Sequence, residues 1–202
     1  MSFELSRVPE TEKPISAENA PKLLLHACCA PCAASVIEKL AGLYEITIFF
    51  YNPNIHPRAE YYKRAGEFDK LLANAMHPIK PDLIVEDYDS LDFDNVAASF
   101  IHEKEGGIRC QLCYNLRLEK TARHAIEGGF RYFGTTLTIS PHKNAKSINE
   151  IGSRIESESQ GQLIYLCEDF KKHDGYKRSV EISKQYGLYR QNYCGCASSL
   201  TQ

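Results

Sequence analysis

The sequence predicts an α/β fold, a parallel five-stranded sheet with helices on both faces. Three observations lead there. Short apolar runs alternate with longer amphipathic ones, which is the rhythm of βαβ units. The runs are mostly apolar, interrupted by His26 in the first and Thr47 in the second, as expected of buried strands. The chain's most unusual residues stand directly after these runs, at what would be the carboxyl ends of the strands, the rim where open parallel sheets bind ligands.

Taken in order, residues 1–21 are polar, contain Pro9, Pro14 and Pro21 and lack periodicity, so they read as a flexible leader. Residues 22–202 then read as a single α/β domain. Leu23 to Ala27 is the first strand, and Cys29-Ala-Pro-Cys32 opens a helix behind it. Ile46 to Phe50 is the second, followed by the turn residues Tyr51-Asn-Pro-Asn54. Tyr62, Ala65, Phe68, Leu72 and Ala75 recur at helical spacing before a third strand, Leu83 to Val85. A looser stripe, Leu112, Leu116, Ala122, Ala125 and Ile126, precedes the fourth strand, Tyr132 to Gly134, and the loop Thr135 to Asn144. The clearest helix carries Ala145, Ile148, Ile151, Gly152 and Ile155; Leu163 to Leu166 is the fifth strand, with Asp169 to Lys172 beyond it.

Composition excludes several classes. At 202 residues and 43% hydrophobic, the chain can build a core without disulfide staples. Its start carries Glu4, Glu10, Glu12 and Glu18 and no apolar signal, and no run approaches the ~20 apolar residues of a membrane span, so a cytoplasmic location without membrane is expected. Basic and acidic residues nearly balance, 24 against 26, which argues against a general polyanion-binding surface. Locally, Glu105 to Lys146 is rich in Lys and Arg and His77 to Glu105 in acids, so one side is basic or the surface is merely well solvated.

Chemistry is concentrated in the cysteines. Seven of eight fall into three groups: Cys28, Cys29 and Cys32; Cys110 and Cys113; Cys194 and Cys196. Thiolates two or three positions apart can turn toward one volume, and their softness suits zinc, copper(I) or iron-sulfur rather than magnesium or calcium. Cys29-Ala-Pro-Cys32 at a helix start also fits a thioredoxin-like dithiol. Spacing alone leaves an iron-sulfur centre, structural zinc and dithiol exchange open. Cys167, isolated after a buried strand, reads as a small core residue. Arg109 and Arg117 flank the second pair, and Arg117, one turn beyond Cys113, can face the same site or a phosphate.

Taken together, His26-Ala-Cys-Cys-Ala-Pro-Cys32, Phe50-Tyr-Asn-Pro-Asn-Ile55, Glu60-Tyr61 with Arg64, Arg109-Cys-x-x-Cys113 with Arg117-Leu118, Thr135-Thr-Leu137 with Ser140-Pro141 and Lys143-Asn144, Asp169-Phe-Lys171, and Tyr189-Arg-Gln-Asn-Tyr-Cys-Gly-Cys196 resemble the QueH type of epoxyqueuosine reductase, from Lys22 almost to the C-terminus. The resemblance implies a HUP-like (adenine nucleotide alpha hydrolase-like) fold, although no glycine-rich phosphate loop follows the first strand; cysteines stand there instead. It implies an iron-sulfur oxidoreductase of queuosine biosynthesis that reduces epoxyqueuosine to queuosine at the tRNA wobble position, fed by an unidentified electron donor.

By the same resemblance Cys28, Cys29, Cys110 and Cys113 hold a 4Fe-4S cluster, and Cys32, Cys194 and Cys196 bind a second iron or other metal, or cycle between thiol and disulfide. Proton delivery falls to His26, Tyr51 or Asp169 at strand ends. For an anticodon loop, Tyr51, Tyr61, Tyr189 and Tyr193 are the stacking residues expected. Asn52, Asn54, Arg64, Arg117, Ser140, Lys143, Lys171, Lys172 and Arg190 are the polar contacts. A thiol-disulfide oxidoreductase and a zinc-stapled binding module are the competing readings.

Overall fold

The computed structural model describes residues 19–74 and 77–199. The expected leader therefore lies, but for 19–21, outside the described residues, as does Ala75. Five strands, β1 (Lys22–His26), β2 (Glu45–Phe50), β3 (Asp82–Val85), β4 (Tyr132–Thr135) and β5 (Ile164–Tyr165), form one sheet in the order β3-β2-β1-β4-β5. Every pairing is parallel, as the alternating runs predict. The chain winds outward from β1 in both directions, so the order reverses between β1 and β4. This doubly wound order is consistent with the HUP-like class.

Alternation along β1 feeds two cores. Leu23 and Leu25 point into the layer formed by α1 (Ala30–Leu40), α2 (Arg58–Asn74) and α6 (Gly175–Gln185); Leu24 points into the layer of α4 (Ile108–Glu127) and α5 (Ala145–Glu158). All three leucines are fully buried, each contributing about 1.5–3 kcal/mol. A short α3 (Leu91–Ala97) packs against α4. Among the described residues, no helix is long and apolar enough to cross a membrane.

Two of the expected helical faces are rotated. In α2 the buried stripe is Tyr61, Ala65, Phe68 and Leu71, while Tyr62 is exposed, because the Tyr61 hydroxyl donates to the Phe50 and Glu86 carbonyls and pins that side inward. In α4 the buried line runs through Cys110, Tyr114, Leu118, Ala122 and Ala125, and Ile126 is exposed. The α5 stripe is as read: Gly152 sits against the Tyr165 ring, where a Cβ would lie 2.3 Å from Cζ. That ring packs on Phe133 and its hydroxyl donates to Asn149 Oδ1 at 3.0 Å, so it cannot swing aside cheaply. Gly152→Ala is therefore expected to destabilise by about 2 kcal/mol despite Ala's better helix propensity, lowering Tm by roughly 4–8 °C in thermal unfolding.

Candidate metal centre at the sheet switch point

The carboxyl ends of β1, β2 and β4 lie side by side, with His26 in register with Phe49 and Thr135. The segments leaving these strands meet there. Cys29 is the N-cap of α1, with Pro31 in the first turn, so Cys28, Cys29 and Cys32 wrap the helix N-terminus, where amide dipoles favour negative charge. The three sulfurs lie within 4.8 Å of one another. Hydrogen bonds from the Cys29 and Cys32 thiols hold Cys28 well below the usual thiol range, with the charges of Arg117 and Lys143 adding to them. Cys29 rises to about 12 and Cys32 rises as well, because both donate to Cys28. One thiolate thus shares two protons, a donor set ready to lose them to a thiophilic metal.

The second group comes from α4. Cys110 in its first turn accepts from the Gly106 amide at 3.2 Å, and Cys113 accepts from Arg117 Nη1, one turn on, at 3.8 Å. The third is delivered by the chain beyond α6. The Tyr189 amide donates to Glu67, the Tyr193 hydroxyl to the His56 carbonyl, and Arg64 to the carbonyls of Tyr193 and Cys194. Gly195, between Cys194 and Cys196, has φ of +124° and accepts from the His56 amide, a bend that a side chain would strain. Cys196 packs with Cys113, and Cys194 lines a cavity of about 280 Å³ together with Cys28 and Cys32.

Arg117 ties the groups together. It is 1% exposed, and besides Cys113 it donates to His26 Nε2 at 3.3 Å and to Asn52 Oδ1 at 2.5 Å; burial works against its charge, and the neighbouring sulfurs of Cys113, Cys28 and Cys194 raise it. The three groups therefore converge. The tightest set is Cys28, Cys29 and Cys32, not the Cys28, Cys29, Cys110, Cys113 set that the resemblance implies for one cluster; among the described residues no other three Cys, His or acidic side chains meet as closely. None of the eight cysteines is joined in a disulfide in this structure.

Several other expectations meet different surroundings. His26 is buried, and burial followed by the Arg117 charge lowers it to about 3, so it is a neutral group beneath the site, its Nε2 accepting from Arg117 and its Nδ1 bonded to Thr135. The Tyr51 hydroxyl donates to Asp92, away from the cysteines. Asp169 pairs with Lys171 and lines a separate cavity with Cys167, Ala145 and Lys146. The Lys171 ammonium is spent on the carbonyls of Thr138 and Lys143, bracing the loop that carries Lys143. Arg64, 1% exposed, grips the cysteine-bearing segment and Glu60 rather than facing a phosphate. Asn52 bridges Arg117 and the Ala27 carbonyl, and Asn54 is buried beside Gly195.

Arg117, Ser140, Lys143 and Arg190 do line the cavity, joined by Glu105, Tyr176, Gln191 and Asn192, to which the sequence alone assigned no role. Gln191 donates to Cys29 Sγ at 3.1 Å; its place inside the Tyr189 to Cys196 motif was the available signal. Lys143 is raised: burial alone would lower it, but its electrostatic attraction to the neighbouring Cys194 and Cys28 sulfurs outweighs that, so its ammonium stays charged at the cavity wall.

The family model described as epoxyqueuosine reductase QueH matches residues 23–202. A relative in Streptococcus pyogenes serotype M1, named epoxyqueuosine reductase QueH, is 42% identical over 87% of this chain and 69% of its own length. Relatives of the same name in Acinetobacter baylyi and Thermotoga maritima are 42% and 35% identical, covering 91% and 89% of this chain and 82% and 91% of their own.

Proposed function

Because the chain belongs to the epoxyqueuosine reductase QueH family, we propose that this oxidoreductase reduces the epoxide of epoxyqueuosine to the alkene of queuosine at the wobble position of tRNA. The observation that carries the reading is that two distant cysteine groups meet at one cavity lined by Cys28, Cys32 and Cys194 with Arg117 and Lys143, while Arg117 ties Cys113 of the remaining group to it and Cys196 packs on Cys113. The overall change takes two electrons and two protons and expels one oxygen as water.

The donor set fits a thiolate-bound centre: buried and half-buried soft ligands, one of them, Cys28, with its thiol held well below the usual range, and cations beside them to offset negative charge. Cys28, Cys29 and Cys32, with Cys110, Cys113, Cys194 and Cys196, are the residues that would hold a 4Fe-4S cluster and a neighbouring metal. Such a centre supplies single electrons and a Lewis-acidic site. The protein's own part is positional. Gln191 and the α1 N-terminus orient Cys29, Arg117 balances the sulfur charge, and the Arg64 clamp holds Cys194 at the cavity. Lys143, kept protonated, faces the cavity as the charge that meets the departing oxygen or a nearby phosphate.

The test is an anaerobic preparation. Brown colour, broad absorbance near ~400 nm and acid-labile sulfide, with conversion of epoxyqueuosine-containing tRNA, support the reading; a colourless protein with stoichiometric zinc, or one with dithiol exchange and little metal, sinks it. The two lysines give a second check. Lys143→Met is expected to lower kcat/KM by roughly 10- to 100-fold and the salt slope of tRNA binding by up to about 1. Lys171→Met, which removes the loop brace, is expected to lower Tm without a direct phosphate contribution to that slope; equal salt slopes for the two variants would contradict the assignment.

A further inference from the structure

Of the aromatic residues expected to stack on an RNA loop, two are buried and each of the other two carries a cation on its ring. Tyr51 and Tyr61 are buried with their hydroxyls bonded to Asp92 and to backbone. The Tyr189 ring is covered by the Lys63 ammonium, 3.5 Å from its centroid, and the Tyr193 ring by the Arg64 guanidinium, 4.9 Å away. Tyr193 lines the cavity, and a further tyrosine stands there with it. Tyr176 lines it alongside Cys28, Lys143 and Arg190 and is 37% exposed, one of few large hydrophobic side chains left open to solvent.

Tyr176 is also held rigidly. Asp174 takes φ of 60°, and Gly175 lies so close to the Phe170 carbonyl that a Cβ would approach it within 1.9 Å, so the chain turns into α6 in one tight step. Ser35 donates to the Gly175 carbonyl at 3.0 Å and fixes that turn to α1. On the ring itself, the Arg190 guanidinium lies 5.7 Å from the centroid and donates to the hydroxyl at 3.4 Å; its other arm donates to Ser183 Oγ at 3.2 Å. An exposed tyrosine tethered by its hydroxyl and backed by a cation is a ready surface for a flat π-system. It loses little side-chain freedom when one arrives.

The geometry points to Tyr176 and Arg190 as a stacking subsite for an unpaired nucleobase of the substrate RNA, one that adjoins the base reaching Cys28 on the cavity floor. This rests on the tRNA reading above and adds a specificity-determining contact to it. The base is recognised by its face, so the subsite tolerates any of the four, and it grips only RNA whose loop is splayed open.

Affinity of the anaerobic holoprotein for a fluorescent tRNA anticodon stem-loop tests this. Tyr176→Ala is expected to weaken binding by roughly 5- to 150-fold. Tyr176→Phe and Tyr176→Trp should stay within about threefold of wild type, metal content should not change, and the Tyr176→Ala salt slope should match wild type, since no charge is lost. In turnover the same variant should raise KM for the stem-loop with kcat within about threefold. Wild-type affinity retained by Tyr176→Ala, or equal losses in Ala and Phe, overturns the subsite alone. A wild-type protein that acts on free epoxyqueuosine but has no affinity for the stem-loop overturns the RNA reading and the subsite with it.

Discussion

Cys28→Ala should abolish bound metal and reductase activity together, with activity falling well beyond the 10- to 100-fold that loss of an outer partner of a metal ligand costs. The reason is position. Of the three sulfurs gathered at the α1 N-terminus, Cys28 is the one held as a thiolate; it receives the thiol hydrogens of Cys29 and Cys32, faces the cavity, and lies within reach of the Arg117 and Lys143 charges. Removing it leaves only two of the three sulfurs that lie within 4.8 Å of one another, too few soft ligands at that spot to hold a metal tightly. Cys167→Ala is the matched control: that cysteine lines the other cavity beside Asp169, and its loss should leave iron, sulfide and turnover unchanged. Iron and sulfide determination with turnover on the two variants decides the matter. A Cys28→Ala protein with full iron, sulfide and activity would remove the basis of the site.

How much of the molecule is legible in its sequence depends on how each feature is encoded. The five strands and their parallel pairing were readable because buried strands write themselves as apolar runs, and the rim could be placed because unusual residues come directly after those runs; the order of the strands was not. The faces of α2 and α4 slipped because Tyr61 and Tyr62, or Ala125 and Ile126, are equally apolar neighbours; hydroxyl partners and packing chose between them. No stripe announced α6, whose buried positions are Ser179, Ile182 and Ser183, two of them small and polar. The short α3 is acidic and mostly exposed, with Phe93 and Ala97 as its buried residues. Nor does an arginine in a sequence say whether it faces water. Arg64 and Arg117, read as phosphate contacts, are interior struts whose partners are carbonyls, an amide and sulfurs contributed from distant segments.

That interior placement makes Arg117 the residue whose loss should cost most in stability. A bidentate, permanently charged group with 1% exposure holds Cys113, His26 and Asn52 at once and balances the sulfur of Cys28. Breaking a buried charge pair by deleting one partner costs about 3–5 kcal/mol, and an orphaned buried acceptor such as Asn52 Oδ1 about 1–3 kcal/mol. The thiolate can limit its own share by taking up a proton. The expected result for Arg117→Leu is thus a loss near the lower end, about 3 kcal/mol, or a Tm reduced by roughly 6–12 °C for a chain of this size. Arg117→Lys should recover part of it, since it keeps the charge but not the fork. A double-mutant cycle separates charge balance from packing: in the metal-free protein, Arg117→Leu should cost less in a Cys28→Ala background, because the anion it served is gone. Strict additivity would mean that Arg117 stabilises the fold through packing and Asn52 alone.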